Sequence, residues 1–277
     1  MSQIRFIFRS VSIMLCFLLL STASRADVLV LVHGYLGSPQ SWVDSGVIPV
    51  LEQHGWRTNG ILTASPNGVT QLPAQLKNKI NNQIYPVKLP ATAPIALQAD
   101  LLNKMLQFIQ QQHPQEDLSI AAHSAGGVVA RMALIQKDSP KIKRLITIAA
   151  PHLGTSRAEQ ALNVSHSPFP LNLLTDLVAA PEMDLLRHSS GLLVDLSRPR
   201  PGNLLFWLNQ QPHPDMQYYS LVRGDAFALY GDDLVQAYSQ DMNLVPALQG
   251  RSTRIVAPGA HSMNPQDGLL LLQVLKS

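Results

Sequence analysis

A short apolar run at residues 118–121 ends in Ala122-His123-Ser124-Ala125-Gly126-Gly127 and gives way to a helical pattern over residues 128–136. Few local structures accommodate that order. A strand buried on both faces has to turn sharply into a helix, and small residues two before and two after Ser124 keep that turn free of collisions. The turn lifts the Ser124 side chain above the end of a sheet. A plain serine at this place also serves as a helix N-cap, and an Ala-x-Ser-x-Gly string arises by chance in many chains. The strand before it and the helix after it give the string its weight.

The rest of the chain repeats the same alternation. Residues 27–32 form, after Asp27, a continuous apolar run that stops at His33-Gly34, the signature of a strand covered on both faces. Residues 42–54 carry apolar positions at helical spacing before Gly55, and 58–63 read as a second strand. A helical pattern over 95–112 starts after Pro94 and stops before Pro114. Strand patterns follow at 118–121, 144–149, 218–222 and 253–256, with helices at 128–136 and 268–276. Strands alternating with helices predict an α/β fold: a mostly parallel central sheet flanked by helices, joined by right-handed crossovers. From about 155 to 214 the alternation fails. Leu-rich stretches broken by Pro and Gly predict a helical cap or lid inserted over the sheet's C-terminal edge, with most of its leucines packed on the main core. Residues 67–93 are polar and Pro-containing and receive no element.

Arg5 and Arg9 precede an apolar run at 11–20, and Ser24-Arg25-Ala26 offers small residues at both specificity positions of a signal-peptidase cut. Residues 1–26 are therefore expected to be a signal peptide, leaving 27–277 as one domain exported to the periplasm or the medium. The apolar run is shorter than the roughly 20 residues of a spanning helix. Three of the chain's 21 basic residues and none of its 18 acids lie in that segment, so the remainder is balanced. A nucleic-acid partner then loses its electrostatic basis. The single cysteine, Cys16, falls in the same segment without a lipobox. No thiol, disulfide or Cys metal ligand remains. No histidines and acids cluster at metal-ligand spacing, so no metal is expected.

His33-Gly34-Tyr35-Leu36-Gly37 follows the first strand. Its glycines let the main chain approach a bound molecule, and the N–H groups of Tyr35 and Ala125 are the candidate donors to a developing oxyanion. Nine histidines compete for the role of general base. His261, in Pro258-Gly259-Ala260-His261-Ser262, follows the last strand and so reaches the same edge as Ser124. His33 and His123 are expected to hold loops, and His152 to shape the site floor. His54, His113, His166, His188 and His213 are expected in solvated or capping roles. An acid to orient the base belongs on the loops after the strand at 218–222. Asp225, Asp232 and Asp233 qualify there, with Asp241 more distant.

Five segments (30–37, 118–131, 148–155, 231–239 and 257–262) make the chain resemble the α/β-hydrolase superfamily, and within it bacterial secreted lipases and lipid deacylases. Ala150-Pro151-His152-Leu153-Gly154-Thr155 is the most specific of these strings. The resemblance implies a Ser124 nucleophile, a His261 base, an aspartate acid, a backbone oxyanion hole, no cofactor, and an ester or lipid substrate met in solution or at a lipid interface. Gly231-Asp232-Asp233-Leu234-Val235 is similar to the family's Asp-Gly-Val-Val turn, which favours Asp232. Ala122 and Asp233 both stand where the family has Gly, and the early antiparallel strands of larger members are expected to be missing. An acyltransferase with the same triad, or a binding protein that kept the fold, are the alternatives.

Overall fold

The computed structural model describes residues 27–73, 82–165, 180–225 and 230–277. Residues 1–26, expected to be a signal peptide, and residues 166–179 of the expected cap, His166 among them, lie outside the described residues.

One sheet organises the described chain. Its strands are β1 (Asp27–Val32), β2 (Trp56–Thr58), β3 (Ile61–Ser65), β4 (Gly68–Leu72), β5 (Asn82–Lys88), β6 (Asp117–His123), β7 (Arg144–Ile148), β8 (Gln217–Val222) and β9 (Ser252–Val256). They lie in the order β4-β3-β5-β1-β6-β7-β8-β9, with β2 also paired to β5. All pairings are parallel except β3 with β4. The edge beyond β5 thus carries its own antiparallel strand, β4.

Side chains on β1 divide between two cores. Val28, Val30 and Val32 face one buried cluster and Leu29 and Leu31 the other, as the period-two geometry of a strand requires. Helices α3 (Ile95–Gln112) and α4 (Ala125–Leu134) cover the first face. Helices α1 (Pro39–Asp44), α2 (Val47–Gln53) and α10 (Pro265–Leu275) cover the second. The single helix expected over 42–54 is two, because Gly46 takes φ +79° between them. The strand expected over 58–63 is likewise two, broken at Asn59-Gly60.

Strand β5 corrects the reading of 67–93. It is a buried strand beside β1, with Leu31 opposite Pro86. Proline cannot donate to a ladder, and the ladder on its other side passes from β2 to β3 around this point. Thr58 pairs with Ile84, and pairing resumes at Leu62 with Val87. The break in one strand and the proline in its neighbour are the same feature.

Helices α5 (Ser156–Ser165), α6 (Ala180–His188), α7 (Ser190–Asp195) and α8 (Leu204–Leu208) stand between β7 and β8. Leu192, Leu193, Leu196, Leu205 and Leu208 are buried in the same cluster as β1, α3 and α4. The remaining helix, α9 (Ala237–Gln240), lies in the β8–β9 connection. Because β1 and β6 to β9 run in parallel, the loops after them gather at one edge, where open α/β sheets bind their ligands. Among the described residues no helix is long and apolar enough to cross a membrane.

Candidate active site

Ser124 sits between β6 and α4 with φ +52° and ψ −129°. A non-glycine residue in this region costs about 1–3 kcal/mol and persists only where its surroundings enforce it. Here they do. The Ser124 N–H donates to Ile148 O at 2.8 Å, and Ser124 O accepts from Gly127 N–H at 2.9 Å. A Cβ on Gly126 would lie 2.5 Å from His33 O, and one on Gly127 2.5 Å from the Ala150 Cβ. Both glycines are therefore demanded by close approach, which presses the helix start onto β1 and the loop after β7. Ser124 occupies the N-cap position of α4, but its side chain makes no capping bond.

The hydroxyl goes elsewhere. Ser124 Oγ lies 2.9 Å from His261 Nε2, and His261 Nδ1 lies 2.9 Å from Asp232 Oδ2. The Asp232 carboxylate is saturated with donors. Oδ1 accepts the N–H groups of Leu234 and Val235 at 2.8 and 2.7 Å, and Oδ2 also accepts from Gln240 Nε2 at 3.2 Å. Burial pushes its pKa up, but the bond to His261, that ring's charge and the two backbone N–H groups outweigh it, leaving the carboxyl below its ordinary range. The other three aspartates do different things. Asp225 and Asp233 are exposed. Asp241 accepts from Asn243 N–H at 2.9 Å and faces Arg254 at 3.7 Å. Of the four aspartates, Asp232 is the one hydrogen-bonded to His261.

Several supports of this arrangement escaped the sequence reading. Buried Gln240 accepts the Arg223 N–H at 2.7 Å and donates to both Val235 O and Asp232, joining β8 to the loop that carries Asp232. The Arg223 guanidinium is buried against Asp267 at 2.5 Å and donates to Ser262 O at 3.3 Å and Ala257 O at 3.4 Å. It therefore spans the loop that carries His261. Asp267 also accepts from Asn264 N–H at 2.8 Å, closing the capping box of α10. An arginine just past a buried strand and an aspartate three residues after Asn264 were the available signals. Replacing Arg223 by Met leaves a buried carboxylate without its cation and should destabilise the chain by about 3–5 kcal/mol. Urea unfolding followed by circular dichroism measures this, and a loss under about 1 kcal/mol would refute it.

His123 donates from Nε2 to His261 O at 2.9 Å, and the two rings lie 5.1 Å apart. Burial and, after it, the neighbouring His261 hold its pKa down to about 4. It therefore stays neutral and tethers the loop, as expected. His152 is buried, with Nδ1 3.5 Å from Arg131 Nη1 and Nε2 3.1 Å from Thr147 Oγ1. His113 takes the C-cap position of α3, one of the roles expected of it, yet its ring is buried, and His213 departs from both expected roles. His213 is buried and accepts from Arg131 Nε at 3.2 Å, and buried His113 pairs with the Tyr85 hydroxyl at 2.8 Å. Their rings fill polar spaces in the core that no local pattern announces. His54 and His188 are exposed and bond carbonyls within their own helices.

The loop after β1 lies directly on the Ser124 side chain. A Cβ on Gly34 would stand 2.8 Å from the Ser124 Cβ. In the turn that follows, Gly37 N–H donates to Gly34 O at 3.0 Å, a bond that leaves the Tyr35 amide out. Ala125 is the first residue of α4, so its N–H has no acceptor within the helix. The Tyr35 hydroxyl donates to Ser189 Oγ at 3.1 Å, tying this loop to the α6–α7 junction. Among the described residues no group of three or more His, Cys, Asp or Glu side chains is placed to hold a metal ion.

A family model described as the alpha/beta hydrolase fold matches residues 27–176, more than half of the 277-residue chain. No curated protein sequence is significantly similar. Among solved structures, the mature form of the Bacillus licheniformis lipase BlEst2 is 15% identical with a TM-score of 0.60, covering 91% of this chain and 92% of its own. A gene product of Listeria innocua is 14% identical with a TM-score of 0.58, over 91% and 94% of the two chains. RedJ, the thioesterase of the prodiginine biosynthetic pathway in Streptomyces coelicolor, is 16% identical with a TM-score of 0.51, over 91% and 90%. At these identities the likeness concerns the fold.

Proposed function

The chain belongs to the alpha/beta hydrolase fold family, and on that premise we propose that it is a serine hydrolase of carboxylic esters, lipid esters foremost. The observation that supports this reading is the unbroken run from Asp232 through His261 to Ser124, each link 2.9 Å long. A hydroxyl bonded to an imidazole nitrogen can lose its proton as it attacks. Ser124 Oγ adds to the ester carbonyl while His261 Nε2 takes the proton, and Asp232 steadies the resulting imidazolium. The carbonyl oxygen becomes negative and is met by the N–H groups of Tyr35 and Ala125. His261 returns the proton to the departing alcohol. Water then repeats the sequence on the acyl-enzyme and frees the carboxylic acid.

In this reading α5, α6, α7 and α8 belong to a cap whose apolar side receives the acyl chain, and residues 1–26 direct export. Three of the elements around the site expose apolar side chains. Leu36, Tyr230 and Tyr238 are 54%, 81% and 47% exposed, as suits contact with a lipid surface. The test is hydrolysis of p-nitrophenyl esters from acetate to palmitate, with fluorophosphonate labelling of Ser124 in parallel. Release of free acid, faster on medium and long chains, is the expected result. A protein that neither turns over any ester nor takes the label is not this enzyme.

A further inference from the structure

Gly34 O is held by more than its turn. Besides the Gly37 N–H, it faces His33 Nδ1 at 3.0 Å. On the other side of the same ring, His33 Nε2 lies 3.1 Å from the backbone nitrogen of Leu89, just past β5. A backbone N–H only donates, so Nε2 must present its lone pair. The ring is therefore neutral, its proton is on Nδ1, and Nδ1–H donates to Gly34 O. His33 is 1% exposed, and burial lowers its pKa, which keeps it in that state.

The consequence lies in the peptide that follows. Gly34 C=O and Tyr35 N–H belong to one planar unit and point in opposite directions. Two donors on the oxygen thus fix the direction of the N–H. Glycine at position 34 puts little steric barrier in the way of a peptide flip, and a flipped unit would turn a carbonyl oxygen toward the developing oxyanion. We propose that His33 is a positioning residue that locks the Gly34–Tyr35 peptide so that its N–H, and not its carbonyl, meets the substrate oxygen beside Ser124. The catalytic part of this assignment rests on the ester-hydrolase reading; the state of the ring rests on hydrogen bonding alone.

Two measurements on the chain test it. Imidazole ¹⁵N spectra should give His33 as the Nδ1–H tautomer, still neutral at about pH 6, where an exposed histidine is largely protonated. An Nε2–H tautomer or a protonated ring there overturns the clamp. In ester hydrolysis, His33→Ala should lower kcat about 10²-fold, the scale of a lost oxyanion donor, with KM within about threefold. His33→Asn, which keeps a donor toward Gly34 O, should stay within about tenfold of wild type. Unchanged kcat in His33→Ala, or equal losses in both variants, overturns the proposal. Should His33→Ala not fold, His33→Leu against His33→Asn is read by the same criteria. A wild-type chain inactive on every ester sinks the hydrolase reading alone, and the tautomer measurement then decides the clamp by itself.

Discussion

Ser124→Ala should lower ester turnover by about 10⁴- to 10⁶-fold while leaving the fold intact, the range seen when a nucleophile that acts together with its base is removed. The size follows from geometry. Ser124 Oγ is bonded to His261 at 2.9 Å, and no second hydroxyl among the described residues is bonded to that ring nitrogen. Alanine removes the attacking atom and leaves His261 with nothing to deprotonate but water. The backbone cost is already part of the native state: residue 124 sits at φ +52°, and alanine keeps only the Cβ that serine already places there. Unfolding midpoints of the two proteins should therefore agree closely. Steady-state rates on a p-nitrophenyl ester, with active-site titration to exclude wild-type contamination, decide the matter. Loss of less than about tenfold would mean that another group does the chemistry.

Asp232→Asn should cost about 10⁴-fold in kcat, as a carboxylate-to-amide change behind a catalytic histidine does by favouring the wrong tautomer. The surroundings make the effect severe here. The carboxylate accepts from Leu234 N–H, Val235 N–H, Gln240 Nε2 and His261 Nδ1. An asparagine has one oxygen, so its NH₂ group must face donors on one side. Either the loop loses its anchor or the imidazole is driven to protonate Nε2, which then cannot accept the Ser124 proton. Asp225→Asn and Asp233→Asn should retain kcat within about threefold, and a larger loss at either would move the acid assignment. The native pKa of Asp232 is lowered, so its charge stabilises the fold above the carboxyl's unfolded pKa. That contribution is lost as pH falls through the lower native value. The stability gap between wild type and Asp232→Asn should accordingly be widest near neutrality and close on strong acidification.

What could be read in advance was local. The continuous apolar run from Val28 to Val32 announced a strand buried on two faces. The small residues around Ser124 announced a turn that only a strand-to-helix junction needs. His261 stood out because it follows the last strand, and parallel strands bring their loops to one edge. Strand β5 was hidden by Pro86 and by polar residues at its ends, since a proline argues against a central strand unless the neighbouring ladder happens to break beside it. The burial of the rings at 113 and 213 was not legible because the groups that satisfy them, Tyr85 and Arg131, lie 28 and 82 residues away.

The chain alone therefore determined the alternation of strands and helices over most of the sheet and the serine-bearing turn, because these depend on steric fit and side-chain period among residues a few positions apart. The resemblance already favoured Asp232, but only the tertiary structure shows it hydrogen-bonded to His261 and brings Arg223, Gln240 and His33 to their partners. Those links are hydrogen bonds between loops that meet at the sheet edge. Their partners lie 29 residues apart for Asp232 and His261 and 56 for His33 and Leu89, distances over which no sequence period carries information.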